Sequence, residues 1–217
     1  QQDAAGFFIA ALMAGKNTID TSDVGTGKTV VASYVAKNLK CPVAVICPKS
    51  VIPVWERELK EVGIHPVFVM NYERIRMGKT PHMSKKGKKI MTWHMPEDTL
   101  VLVDEIHKAK GHFTQNAQLV ISLTQQGYRI HGMSATACED PTEMRAIGYM
   151  LGLHNLNKTE GAKRNWYGWM KSNGCYQDPW KQWRLMSRAK LTGIKEAIYG
   201  VNACKLHIAD FPSSFRD

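Results

Sequence analysis

Residues 22 to 29 read Ser-Asp-Val-Gly-Thr-Gly-Lys-Thr, a spacing that suits a loop wrapped around phosphate. Gly25 and Gly27 let successive backbone N–H groups turn toward an anion with no Cβ in the way. Lys28 is then placed to reach the β and γ phosphates of a nucleoside triphosphate. Thr29 offers a hydroxyl to Mg²⁺, and a helix starting here points its positive end at the anion. The expected nucleotide-binding set is Asp23, Val24, Gly25, Thr26, Gly27, Lys28, Thr29 and Val30. Ser22 stands where the strict pattern has Gly, a small residue for a smaller one. A Gly-rich turn ahead of a core helix is the plainer alternative, and a strand-loop-helix context separates the two.

Downstream lies Val101-Leu-Val-Asp-Glu-Ile-His107, an apolar run ending in two acids. A strand of this kind delivers carboxylates to a nucleotide-bound magnesium. Asp104 is expected to hold the metal through water, and Glu105 to orient and deprotonate an attacking water. His107 either couples this site to its surroundings or packs and caps locally. A third group, Gly132-Met-Ser-Ala-Thr136, puts small hydroxyl residues at the end of another strand, where ligands of open α/β sheets bind. Ser134, Ala135 and Thr136 either join the acidic motif and sense the γ phosphate or cap the helix expected over 141–150. Together these residues imply one site for ATP and Mg²⁺, with Lys28, Asp104 and Glu105 as its catalytic groups.

The elements that must position them follow from periodicity. The pattern predicts helices over 4–14, 28–39, 50–62 and 114–125. Strands are predicted over 17–20, 42–47, 66–70, 99–103 and 128–133. Strands alternating with helices imply parallel βαβ units and a doubly wound sheet. The stretch 79–89 holds Lys79, Lys85, Lys86, Lys88 and Lys89 with Pro81 and Gly87, and reads as an exposed loop or hairpin. It either grips phosphates or is simply solvated. From 158 to 188 the chain turns basic and Trp-rich, and the sheet is expected to have ended. There Trp166, Trp169, Trp180 and Trp183 suit helix faces packed on the core, or a stacking platform for unpaired bases.

The 217 residues carry a net charge of +10, which favours a polyanionic partner. No apolar run approaches a membrane span. The five cysteines form no Cys-x-x-Cys pair, which points to reduced thiols in an intracellular setting. The chain opens at Gln1 rather than Met, so a piece of a longer protein is expected.

In order, these motifs resemble the first RecA-like lobe of superfamily 2 helicases and translocases. The order is Gln1-Gln-Asp-Ala4, the phosphate loop, Val45-Ile-Cys-Pro-Lys-Ser50 with Trp55, Asn71-Tyr-Glu73, Asp-Glu-Ile-His and Ser-Ala-Thr. The Cys-Pro-Lys-Ser and Asn-Tyr-Glu segments are similar to Swi/Snf-type DNA translocases, whereas Ser-Ala-Thr is closer to DEAD/DEAH-box proteins. The resemblance implies an α/β P-loop NTPase lobe over 1–153, with a helical protrusion and the end of the lobe over 154–217. It implies that Gln1, or Gln2 one register on, reads the adenine edge. It also implies that Pro48, Lys49 and Ser50 contact a nucleic-acid backbone, duplex DNA favoured over RNA. The alternatives are a DEAH-type RNA helicase and a non-catalytic nucleic-acid-binding module. A second RecA-like lobe would supply an arginine finger. The residues beyond Leu153 are too few to hold it, so the lobe alone is expected to hydrolyse ATP barely.

Overall fold

The computed structural model describes residues 2–87, 90–136, 140–156, 165–186 and 191–207. The chain runs α1 (Gln2–Met13), β1 (Thr18–Asp20), α2 (Lys28–Leu39), β2 (Val43–Cys47), α3 (Ile52–Glu61), β3 (Phe68–Asn71) and α4 (Tyr72–Arg76). A hairpin of β4 (Met83–Lys86) and β5 (Ile90–Trp93) precedes β6 (Leu100–Asp104), α5 (Gln115–Gln125), β7 (Arg129–Met133) and α6 (Arg145–Met150). The last two described stretches hold α7 (Trp166–Ser172), β8 (Cys175–Gln177), β9 (Trp183–Leu185), α8 (Leu191–Ile198) and β10 (Ala203–Cys204).

Six strands form one parallel sheet in the order β10-β1-β7-β6-β2-β3. The central strands β2 and β6 are apolar on both faces because helices cover both. Val43, Val45, Cys47, Leu100 and Leu102 meet α1, α2 and α3 through Phe8, Leu12, Val35, Trp55 and Leu59. Their alternates Ala44, Ile46, Val101 and Val103 face the opposite core, which includes Leu119, Leu123, Ile147 and Met170. This two-sided packing makes the RecA-like α/β lobe that the motif order implied, and it leaves the strand ends free to carry chemistry.

Two expectations change. The sheet does not end before the Trp-rich stretch: β10 pairs with β1 through Ile19↔Ala203 and Asp20↔Cys204. A two-residue strand carries no readable alternation. Nor is 180–183 a helix face, since β8 and β9 make an antiparallel hairpin with Trp180 79% exposed at its turn. Asp178-Pro179 bends the chain there, and Lys181 adopts φ 62°. The pair Trp166 and Trp169 does pack inward on α7, with rings 5.7 Å apart.

The lysine-rich stretch forms the hairpin β4–β5, docked on α5 through buried Met83, Met91 and Trp93. Trp93 Nε1 donates to Ser122 Oγ at 2.8 Å. Lys79, Lys85 and Lys86 are described, while Lys88 and Lys89 lie outside the described residues. Among the described residues, no helix is long and apolar enough to cross a membrane.

Candidate nucleotide site

The phosphate loop leaves β1 and enters α2, the context that the motif requires. Gly25 and Gly27 take φ 83° and 79°, a region that residues with a Cβ rarely adopt, so the tight turn depends on glycine. Lys28 is half-buried and its Nζ donates to Ser22 O at 2.9 Å and Asp23 O at 2.8 Å. The loop's own carbonyls thus hold the ammonium over the turn. Thr26 Oγ1 donates to Asp23 O at 2.8 Å, and Ser22 N to Asp20 Oδ1 at 2.9 Å. β10 and its extension brace the same loop: Asp23 N donates to Leu206 O at 2.9 Å, and Leu206 N to Ser22 Oγ at 2.8 Å. Thr29 is half-buried at the start of α2, whereas Val24 and Val30 are exposed.

Asp104 ends β6, two strands from β1, and the Lys28 charge reaches it and favours its ionised form. Burial is the larger influence and lifts the Asp104 carboxyl above the ordinary carboxylate range. Trp55 Nε1 donates to Asp104 Oδ2 at 3.0 Å and the Glu105 amide to Oδ1 at 2.9 Å, both opposing that lift. Tyr72 is fully buried and its hydroxyl donates to Asp104 O at 2.6 Å. The Cys47 thiol close by is pushed up to about 12, by burial first and the Asp104 charge second, and is an inert packing group.

Glu105 sits in the left-handed region, φ 52° and ψ 48°, unusual for a residue with a Cβ. That backbone turn sets its half-exposed carboxylate beside His107, whose Nδ1 is 3.0 Å from Glu105 Oε2 and 3.0 Å from Ser134 Oγ. Ser134 is buried, and its amide donates to Asp20 O at 2.9 Å. It directly follows β7, which lies between β1 and β6, so one residue touches the base of the phosphate loop and the histidine of the acidic motif. Ala135 is half-buried and Thr136 exposed, with the Thr136 amide 3.3 Å from Ser134 Oγ.

Of the remaining candidates, Gln1 lies outside the described residues. Gln2 lines a shallow hollow of about 120 Å³ with Ala5, Val30, Val31 and Tyr34. Pro48, Lys49 and Ser50 follow β2 at the same end of the sheet, the last two exposed. The sequence marked Trp55 and Tyr72 only as motif letters and left Asp20 unmarked. A buried indole or phenol ordinarily finds an acceptor, but which acceptor is set by the pairing of β2 with β6 and β3.

No protein-family model matches the chain. Over 165 residues it is 30% identical to a protein of Acanthamoeba polyphaga mimivirus that carries the provisional name of ATP-dependent RNA helicase, a match covering 65% of this chain and 31% of the relative. Over 125 residues it is 28% identical to the uncharacterized ATP-dependent helicase YqhH of Bacillus subtilis, covering 52% of this chain and 22% of the relative. Its fold is similar to the Sulfolobus solfataricus SWI2/SNF2 ATPase core solved in complex with dsDNA, with a TM-score of 0.62 and 18% identity. That likeness covers 94% of this chain and 43% of the solved one. The chain therefore spans less than a third of either curated relative.

Proposed function

We propose that this chain, a RecA-like lobe of the superfamily 2 helicase kind, is the ATP-binding half of a nucleic-acid translocase or helicase acting on duplex DNA. The observation carrying this reading is the placement of Lys28 and Asp104 at the carboxyl ends of the interior strands β1 and β6, with Ser134 between them. On this reading the loop amides and Lys28 bind the triphosphate, Lys28 exchanging the Ser22 and Asp23 carbonyls for phosphate oxygens. The hollow beside Gln2 and Tyr34 takes the adenine face.

Thr29 and Asp104 fit Mg²⁺, because they supply hard oxygen donors and because a dication offsets the cost of keeping Asp104 ionised where it is buried. When bound, the ion neutralises charge on the β and γ phosphates. Glu105 positions the water for in-line attack, and its left-handed backbone fixes the carboxylate's direction. His107 and Ser134 connect that carboxylate to the loop base, a route by which the state of the γ phosphate is felt at β7.

Duplex DNA is favoured because the Cys-Pro-Lys-Ser and Asn-Tyr-Glu segments are Swi/Snf-like and the solved core of similar fold is bound to dsDNA; Trp55 and Tyr72 of these segments both bond Asp104, which links them to the acid. The viral relative's name and the Ser-Ala-Thr motif support a second reading, an RNA helicase. A second RecA-like lobe would bring the arginine finger, worth on the order of 10³ to 10⁵ in rate, so this lobe alone turns over poorly. The test is ATP hydrolysis by the longer protein with duplex DNA or RNA added. Stimulation by DNA and its loss in Lys28→Ala support the proposal; equal turnover in that variant removes the site.

A further inference from the structure

Among the described residues, Phe113 and Tyr167, which lie outside the two cores, meet core Trp166 at one hollow away from the nucleotide site. A cavity of about 290 Å³ is lined by Phe113, Arg145, Leu156, Asn165, Trp166 and Tyr167. Phe113 is 71% exposed and the Arg145 guanidinium lies 5.2 Å from its ring centroid. Arg145 Nη1 donates to His112 O at 3.0 Å. That bond uses one of five N–H donors. Tyr167 stacks on Trp183, 5.8 Å between centroids, which extends the aromatic surface onto the β8–β9 hairpin and toward exposed Trp180 and Lys181.

Three features narrow the occupant. The charged side chain in the lining is an arginine, and no acid lines the hollow among the described residues, which disfavours a cationic guest. Trp166 is only 3% exposed and lines the cavity beside Phe113 and Tyr167, so the walls are aromatic and favour a flat guest. The volume sits at the lower edge of small-ligand sites, room for one flat ring system rather than two. A planar ring attached to a phosphate chain meets all three conditions.

The walls are also tied to the nucleotide site. Phe113 stands on the connection that leaves the carboxyl end of β6, and Arg145 opens α6, the helix that follows β7. The segment after β6 is joined to the residues just before α6 by Lys110 Nζ to Glu143 Oε2 at 3.1 Å and by the His112 ring to Thr142 O at 2.7 Å. The hollow is therefore mounted on the strands that carry Asp104 and Ser134.

We propose that this hollow accepts one unpaired nucleobase of a nucleic-acid strand, stacked against Phe113 and Tyr167 and held at its edge or phosphate by Arg145. Trp180 and Lys181 meet the same strand one step further along the hairpin. The proposal rests on the nucleic-acid reading above and adds to it a site for single strands. Stacking a base on an aromatic side chain is sequence-tolerant because every base has a π face.

The test measures binding of labelled oligo-dT, oligo-U and a blunt duplex, each of about 16 nucleotides, to the whole chain and to Phe113→Ala and Tyr167→Ala. Both residues are substantially exposed, and unchanged Mg·ATP affinity verifies that the fold survives. The expected result is a loss of about 5- to 100-fold in single-strand affinity for each variant, with duplex affinity within about twofold. The two single-strand arms show whether the base is carried by DNA or RNA. Unchanged single-strand affinity, or an equal loss on the duplex, overturns the site and points to a protein guest or a structural role. Wild-type chain that grips only the duplex overturns this site and leaves the motor reading standing; binding to none of the three overturns both.

Discussion

Trp55 Nε1 donates to Asp104 Oδ2 at 3.0 Å, so a side chain from the helix after β2 holds the acid at the end of β6. The bond favours the ionised carboxyl against the burial that lifts its pKa. Removing the donor in Trp55→Phe therefore leaves the Asp104 pKa higher still, and the carboxylate is lost earlier as pH falls. Mg·ATP affinity in this variant should weaken about tenfold near neutrality, in line with a lost bond to a charged group, and its acid limb should move to higher pH. Superimposable pH profiles for parent and variant would contradict this.

Glu105 in the left-handed region costs about 1 kcal/mol relative to a residue without a Cβ. Glu105→Gly should thus raise folding stability by about that amount while abolishing the ATP turnover proposed for the site. Urea unfolding and a turnover assay read the two effects separately. A variant that is less stable than the parent would show that the carboxylate, and not its backbone, governs this turn.

A Cβ placed on Gly132 would come 2.7 Å from Ile106 Cδ1, the side chain that locks the acidic motif onto β7. Gly132→Ala should destabilise the fold by about 1 to 3 kcal/mol through overpacking. Adding Ile106→Val removes the 2.7 Å contact but keeps Cγ2 at 3.3 Å and itself costs about 0.5 to 1.5 kcal/mol, so the double variant should lose less than the sum of the two single variants. The thermal midpoints of the three variants check it, and a double variant that loses the full sum would refute the contact as the cause.

These contacts mark the limit of what the sequence discloses. The phosphate loop, the acids of β6 and the serine of β7 were legible because glycine geometry and carboxylate placement leave local signatures, and β2 and β6 because they are apolar on both faces. Trp55 and Tyr72 were visible only as motif letters, since their shared acceptor lies 49 and 32 residues away. β10 was missed because two residues show no period, and Trp180 and Trp183 imitated a helical spacing across a turn. A family resemblance supplied Gln1, which the described residues leave out.

His131 and His154 are both buried, and burial draws each pKa from 6.5 down to about 4. Asp20, facing His131, opposes that shift without reversing it. The unfolded chain therefore binds more protons than the folded one between these values. Their contribution to stability is complete above about pH 6.5 and is lost as pH falls toward 4, at about 2 kcal/mol per pH unit near pH 5. Urea unfolding at pH 5 and pH 7.5 measures this slope, and in His154→Gln it should become shallower. Equal stability at the two pH values would contradict the burial of both rings.

The most direct test of one nucleotide lodged between Lys28 and Asp104 is a double-mutant cycle on Mg·ATP binding, measured by calorimetry with the whole chain. If both residues hold the same ligand and metal, Lys28→Ala and Asp104→Ala each weaken affinity by about 10- to 100-fold. The double variant should then lose clearly less than the product of the two. A wild-type chain that binds no Mg·ATP, or single variants that bind it as well as wild type, would contradict the account.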